Sequence, residues 1–133
     1  MQIPQQLIAL TKEHHLSLSL ANKAINAKNL DNEGVICQLI TKTFERNFLA
    51  HFNFEEQYIL PLLIQNNQQD CQRIVDEHKL LLELAKNINP ATLLKFGALL
   101  REHTRFEDRT LFKKIPMESL NKIPPHENNH LKL

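Results

Sequence analysis

Apolar residues recur at spacings of three and four along most of this 133-residue chain, which is the period of an amphipathic α-helix. Polar or proline-containing stretches interrupt the pattern three times and divide it into four segments. Each segment has the length of a helix in a globular domain. The predicted helices cover residues 4–27, 32–65, 71–88 and 90–114.

Residues with turn or capping preferences mark the breaks between these helices. The stretch from Lys28 to Asp31 separates the first two helices and places Asp31 as the N-cap of the second. The polar stretch from Gln65 to Asp70 predicts a loop. Asn89 followed by Pro90 is a start signal for the fourth helix.

Short connections place neighbouring helices antiparallel, so we expect an all-α, up-down-up-down four-helix bundle over residues 1–116. A chain of this length suits one domain, and its two glycines favour helices over a sheet. Residues 117–133 then form a short C-terminal tail. Because it is polar and broken by prolines, we expect no more order there than one helical turn from Met117 to Leu120.

Each predicted helix carries one histidine on its apolar stripe, and two of these histidines precede a glutamate by four residues. Residues four apart share one face of a helix, so His51 with Glu55 and His103 with Glu107 form aligned pairs. The same stripes also contain Leu18, Ile25, Tyr58, Leu62, Ile88 and either Thr110 or Leu111. The candidate metal ligands are His14, His51, Glu55, His78, His103 and Glu107.

These residue types indicate a metal site inside the bundle. Burying four histidines and two glutamates without a metal would leave polar groups in need of partners, at roughly 1 to 3 kcal/mol each. Imidazole and carboxylate suit iron, manganese or zinc, whereas Cys37 and Cys71 have no CxxC spacing and are expected to be buried, reduced thiols. Two carboxylates from different helices can each bridge a pair of cations, so two metal ions fit better than one.

Several further acidic and histidine residues lie beside or outside the stripes. Glu56 and Asp108 adjoin the ligand pairs and are interpreted as surface or supporting groups, although Asp108 competes with Glu107 as second bridge. His15, His126 and His130 lie outside the stripes and are expected to be exposed or in the tail.

Charge and hydropathy exclude several classes of partner. The net charge of +1, from 16 basic and 15 acidic residues, creates no broad field for nucleic acid or an anionic membrane. No window approaches the ~18 apolar residues of a membrane span, and the N-terminus lacks the features of a signal peptide. We therefore expect a cytoplasmic protein. A separate expectation is that an apolar patch on an outer helix face supports a homodimer.

Four segments in order, EHHLSLSLANKA, HFNFEEQYILP, DEHKLLL and LLREHTRFEDRTLF, resemble the hemerythrin-like, HHE cation-binding domain. The resemblance covers Leu7 to Ile115. It implies a four-helix bundle around a non-haem centre of two iron ions, with room for water, an oxo bridge or a small gas. The six candidate ligands above match the family's ligand positions, with Glu55 and Glu107 as the bridges.

One position departs from the oxygen-carrying hemerythrins, which have a fifth histidine where this chain has Ile74. Four histidines and two carboxylates are similar to divergent bacterial members, including domains implicated in repair of iron centres under nitrosative or oxidative stress. The resemblance thus implies a protein that binds or senses oxygen or nitric oxide, or handles iron and oxidants. The alternatives are an oxidoreductase acting on peroxide or nitric oxide, and a metal-dependent protein interaction module.

Overall fold

The computed structural model describes residues 4–126, which form a four-helix bundle with no strand in that range. The first bundle helix comprises a 3-10 turn, Gln5–Leu7, and an α-helix, Ile8–Asn26. The third is the α-helix Gln68–Lys86. The second comprises the α-helix Glu33–Thr43, a π-turn Phe44–Phe48, the α-helix Leu49–Phe54, a π-turn Glu55–Ile59 and a 3-10 turn Leu60–Leu62. The fourth comprises the 3-10 turns Pro90–Thr92 and Phe112–Lys114 at its ends, the α-helix Leu93–Phe106 and a π-turn Glu107–Leu111.

Two apolar clusters fill the bundle, one towards each end. We call lower the cluster formed by Leu7, Leu10, Phe54, Ile59, Leu60, Leu63, Cys71, Ile74, Leu111, Phe112, Ile115 and Ile123. We call upper the cluster formed by Leu20, Ala21, Ala24, Ala27, Ile36, Ile40, Phe44, Phe48, Phe52, Leu81, Ala85, Leu93, Phe96 and Leu100. Burial of this apolar surface is the main favourable term in folding.

The order in which the chain meets these clusters confirms the predicted antiparallel topology. The first and third helices run from the lower cluster, past His14 or His78, to the upper cluster. The second and fourth helices run from the upper cluster, past His51 or His103, to the lower one. The first helix packs against the second and the fourth, as does the third. All four histidines therefore meet at one level of the bundle.

The helix boundaries agree with the prediction to within about three residues, and the differences lie in the connections. The loop predicted from Gln65 to Asp70 is too long, because the third helix already begins at Gln68. Asp31 does not act as an N-cap: it has a φ of 52° and lies in the turn, while Asn32 precedes the second helix without a side-chain cap. Asn89 and Pro90 do start the fourth helix, with the Asn89 side chain accepting from the Ala91 N–H.

The π-turns explain why the buried stripes depart from a regular period. Leu60 N–H donates to the Glu55 carbonyl and Phe112 N–H to the Glu107 carbonyl, five residues back in each case. Each such turn adds one residue and moves the inward face along by one position. Tyr58 and Leu62 are consequently half-buried, whereas the neighbours that replace them are buried: Ile59 and Leu63. By the same shift Leu111, and not Thr110, faces the core. On the first and third helices, which have no π-turn in the described residues, Leu18, Ile25 and Ile88 lie at the edge of the buried stripe and are half-buried.

The segment after Pro116 is more ordered than predicted. It forms a 3-10 helix, Met117–Lys122, and buries Ile123 in the lower cluster with only 6% of its surface exposed. The expectation of no more than one helical turn is wrong for the described part of the tail, because Ile123 anchors this segment in the lower cluster. Residues 127–133 lie outside the described range, as does the prediction for His130.

Within residues 4–126, no helix combines the length and the apolar content that crossing a membrane requires.

Gly97 allows the first and fourth helices to approach closely. A Cβ at this position would lie 2.8 Å from the carbonyl oxygen of Ala21 and 2.8 Å from Cγ1 of Ile25. Because one of these atoms belongs to the backbone, the added methyl would force the helices apart. Gly34, on the exposed side of the second helix, has no atom within 4 Å of the same hypothetical Cβ.

We expect Gly97→Ala to lower the free energy of unfolding by about 1 to 3 kcal/mol through overpacking. Gly34→Ala should raise it by about 0.5 to 1 kcal/mol, since alanine lowers the entropy of the unfolded chain and nothing obstructs its methyl. Urea unfolding of the metal-free proteins, followed by circular dichroism, measures both. A free energy of unfolding that does not fall in Gly97→Ala would contradict the close helix contact.

Candidate metal centre

Six ionisable side chains lie together between the two apolar clusters. Each is at most 2% exposed, although groups of this kind are seldom fully buried without partners. They are the six residues predicted as ligands: His14, His51, Glu55, His78, His103 and Glu107.

Glu55 lies at the centre of this cluster and contacts three imidazoles. Its Oε2 accepts from Nε2 of His51 at 2.9 Å and of His14 at 3.3 Å. Its Oε1 accepts from Nε2 of His78 at 3.0 Å. The two oxygens of one carboxylate thus face different histidines, which is the arrangement needed to bridge two ions.

Glu107 enters from the opposite side and is less well satisfied. Its Oε1 lies 3.1 Å from Nε2 of His14 and 3.6 Å from Nε2 of His103. Among the described residues, neither Glu107 oxygen nor the Nε2 of His103 makes a well-directed hydrogen bond. Buried polar atoms left in this condition are costly, and a cation between them would satisfy all three.

The six side chains divide into two groups that share both glutamates. In the first ligand group, one atom from each of His14, His51, Glu55 and Glu107 lies within 4.8 Å of the others. The second ligand group meets the same limit with His78, His103, Glu55 and Glu107. Each group offers two imidazole nitrogens and two carboxylates.

A second set of carboxylates holds the outer nitrogen of every ligand histidine; we call them the outer carboxylates. His14 Nδ1 donates to Asp108 at 2.5 Å, and His51 Nδ1 donates to Glu13 at 2.6 Å. The remaining two bonds run from His78 Nδ1 to Glu56 at 2.7 Å and from His103 Nδ1 to Glu77 at 2.8 Å. Such bonds fix the tautomer that turns Nε2 towards a metal, and they increase the basicity of the ring.

The electrostatics of the cluster favour bound cations. Six carboxylates surround four imidazoles, so the cluster is negative when these imidazoles are neutral, even with the positive charge that Arg73 places beside Glu77. Burial and the nearby charge of Glu55 raise the pKa of Glu107 above its usual value. By contrast, burial opposes ionisation of Glu55, but the ring nitrogens around it lower its pKa well below the usual range.

The donor set also limits which cations fit. Imidazole with carboxylate suits borderline first-row metals, and neither cysteine belongs to a ligand group. Apolar rings cover the histidines: Phe52 stacks on His78 at 3.9 Å, and Phe112 lies 5.4 Å from His14. The residues present therefore fit a buried site for cations of the iron, manganese or zinc type.

The comparison with family models agrees with this geometry. Residues 6–115 match the model of the hemerythrin HHE cation-binding domain. The chain belongs to this family. No curated protein and no solved structure matches it. Membership in this hemerythrin family supports cation binding within a helical bundle, and the match covers all six predicted ligands.

The acidic residues beside the candidate ligands contact the buried histidines from outside the cluster. Glu56 and Asp108 contact ligand histidines from the rim, and Asp108 is 30% exposed while Glu107 is buried. The geometry thus favours Glu107 as the second shared carboxylate. Glu77, on the third helix, holds His103. His15 is exposed, as predicted.

Sequence reasoning missed Glu13 and the contact that His126 makes with it from the tail. Glu13 is buried and accepts from both His51 and His126 at 2.6 Å. Burial raises the pKa of Glu13, but the two imidazole donors lower it to about 2. The sequence did contain a signal for Glu13, because every outer carboxylate is the sequence neighbour of a candidate ligand. These pairs are Glu13 with His14, Glu56 with Glu55, Glu77 with His78 and Asp108 with Glu107.

Cation binding in this centre should strengthen with pH. Burial lowers the pKa of His51, but Glu55 and Glu13 outweigh it and raise the pKa from 6.5 to about 9. A proton must therefore leave His51 before its Nε2 can bind a cation. The ion pairs of protonated His51 stabilise the metal-free protein fully below pH 6.5, and this contribution is lost as the pH rises through about 9.

We expect the rise in melting temperature caused by saturating Co²⁺ to grow as the pH increases from about 6.5 to about 9. Each displaced proton contributes about 1.4 kcal/mol per pH unit. Differential scanning calorimetry with Co²⁺ and with a chelator at each pH measures the difference. A pH-independent increment would contradict the proton competition.

Proposed function

We propose that this protein is a non-haem di-iron protein that binds or senses a small oxidising ligand, namely oxygen, nitric oxide or peroxide. The observation that carries the proposal is the sharing of Glu55 and Glu107 between two ligand groups. A single ion would need only one group and would leave the inward nitrogens of the other two histidines without a cation. Two ions would use every inward donor.

The donor count supports reactivity towards a small ligand. Each ion would receive two imidazoles and two shared carboxylates, a set related to the two-histidine, one-carboxylate sites at which non-haem iron keeps open positions. Ile74 is fully buried in the lower cluster and contributes no donor. Iron in this site would supply reversible one-electron chemistry. The two ligand groups have the same donors, so the donor types alone do not make one group bind its ion more tightly than the other.

The protein's own residues would control access and protonation around the centre. Phe52 and Phe112 pack against the rings of His78 and His14 and would limit the access of water there. The outer carboxylates keep each Nε2 directed inward and hold the Nδ1 proton, so each imidazole stays in one tautomer. A small diatomic molecule or peroxide fits such a confined site better than an extended substrate.

Metal analysis of freshly purified protein, repeated after anaerobic loading of the metal-free protein with Fe²⁺, tests the proposal. We expect about two iron ions per chain and a change in the optical spectrum when oxygen or nitric oxide is added to the reduced form. A stoichiometry of one or less after loading would overturn the two-ion centre. Two ions whose spectrum responds to none of oxygen, nitric oxide and peroxide would overturn the ligand-binding function.

Replacing a shared ligand should cost more metal than replacing a terminal one. We expect Glu55→Ala to lower the content from about two ions per chain towards none, since both ligand groups lose a donor. His78→Ala removes a donor from the second group only and should leave about one ion. His51→Ala should act likewise on the first group.

His15→Ala is the matched control, because His15 adjoins a ligand in sequence but is exposed. Inductively coupled plasma mass spectrometry on the purified variants gives the metal content, and circular dichroism confirms that each is folded. Equal metal retention in Glu55→Ala and His15→Ala would refute the assignment of the shared ligand.

A further inference from the structure

One outer carboxylate differs from the other three in its surroundings. Glu77, Asp108 and Glu56 have side chains 16%, 30% and 39% exposed, so water reaches each of them. The side chain of Glu13 is only 3% exposed. In place of water, it has the imidazole of His126, whose Nε2 donates to Oε1 at 2.6 Å.

The C-terminal segment brings His126 to this position from outside the bundle. After the 3-10 helix Met117–Lys122, Ile123 is buried in the lower cluster and anchors the segment. The two prolines that follow have restricted φ angles and carry the chain forward without a helix. The ring of His126 then lies 4.3 Å from Phe54, with its side chain 8% exposed.

The contact continues inward to the metal centre. The same Oε1 of Glu13 accepts from His126 Nε2 and from His51 Nδ1, both at 2.6 Å. Two donors on one oxygen define the orientation of the carboxylate more closely than a single donor would. Since Glu13 orients His51, a change at His126 would alter the direction of the His51 Nε2.

We propose that His126 is a positioning residue for the metal centre: held by the C-terminal segment, it orients Glu13, which orients His51 in the first ligand group. The inference rests on the proposed two-ion centre. It predicts that the two ligand groups, alike in their donors, differ in their dependence on residues outside the bundle. Within residues 4–126, Glu56 and Glu77, which support the second ligand group, have no such contact with the C-terminal segment.

The test uses the full-length chain with Co²⁺ as the probe and compares His126→Ala, His126→Gln and the control His15→Ala. Glutamine has similar reach and can donate to Glu13 from its amide nitrogen. Calorimetric titration gives the affinity of each binding step. Proton NMR of the Co²⁺-loaded protein resolves exchangeable Nδ1–H resonances of the ligand histidines, shifted by the ion that each one binds.

We expect His126→Ala to weaken one binding step by about 10-fold, the lower end for loss of a group supporting a metal ligand, and to leave the other step unchanged. The Nδ1–H resonance of His51 should move or broaden, while those of His78 and His103 stay in place. His126→Gln should recover most of the affinity and the position of the resonance. His15→Ala should match the unaltered protein.

Each other outcome overturns the proposal. Unchanged affinities in His126→Ala, with two ions bound, would mean that Glu13 orients His51 unaided. Equal weakening of both steps, with lower stability of the metal-free protein, would mean a general structural role. If His126→Gln behaves like His126→Ala, packing of the ring on Phe54 is responsible. Fewer than two ions in the unaltered protein would refute the two-ion centre itself, and the positioning role with it.

Discussion

A closed ring of carboxylate–imidazole bonds around the middle of the bundle is the interaction on which the rest of the structure depends. Glu13 of the first helix holds His51 of the second, and Glu56 of the second holds His78 of the third. Glu77 then holds His103, and the ring closes where Asp108 of the fourth helix holds His14 of the first. Each helix therefore supplies the acceptor for its neighbour's ligand, so that no helix can rotate or slide without breaking two of these bonds.

This ring makes it possible to interrupt a hydrophobic core with a charged layer. Ion pairs at such depth cost desolvation energy and contribute little net stability unless every polar atom has a partner. The outer bonds satisfy all four Nδ1 atoms, and Glu55 satisfies three of the four Nε2 atoms. The atoms left over, on Glu107 and His103, are those that a cation would bind. Among the described residues, the atoms of this charged layer that lack a hydrogen-bond partner are thus the ones placed to bind a cation.

The chain uses the same scheme twice. In each half, a helix with a Glu-His pair precedes a helix with a histidine, a glutamate four residues later and a further acidic residue: Glu13, His14, His51, Glu55 and Glu56, then Glu77, His78, His103, Glu107 and Asp108. Both shared glutamates also begin a π-turn. The halves diverge at the C-terminal segment, which within residues 4–126 contacts the Glu13 side through His126. The two ligand groups therefore offer the same donors, but they differ in the residues that hold those donors in place.

The amino-acid sequence by itself determined the four helices, their antiparallel order and the inward position of the six candidate ligands, because apolar periodicity and the spacing of His51 and Glu55 act within one helix. It could not show which helix supplies each outer carboxylate, since those bonds cross between helices. It also could not show that a π-turn shifts the inward face from Tyr58 to Ile59. The burial of Ile123 and the contact of His126 with Glu13 were likewise decided only by the tertiary structure. Residues 113 positions apart meet there because the bundle leaves an apolar site for the segment that follows it, and no local pattern encodes that meeting.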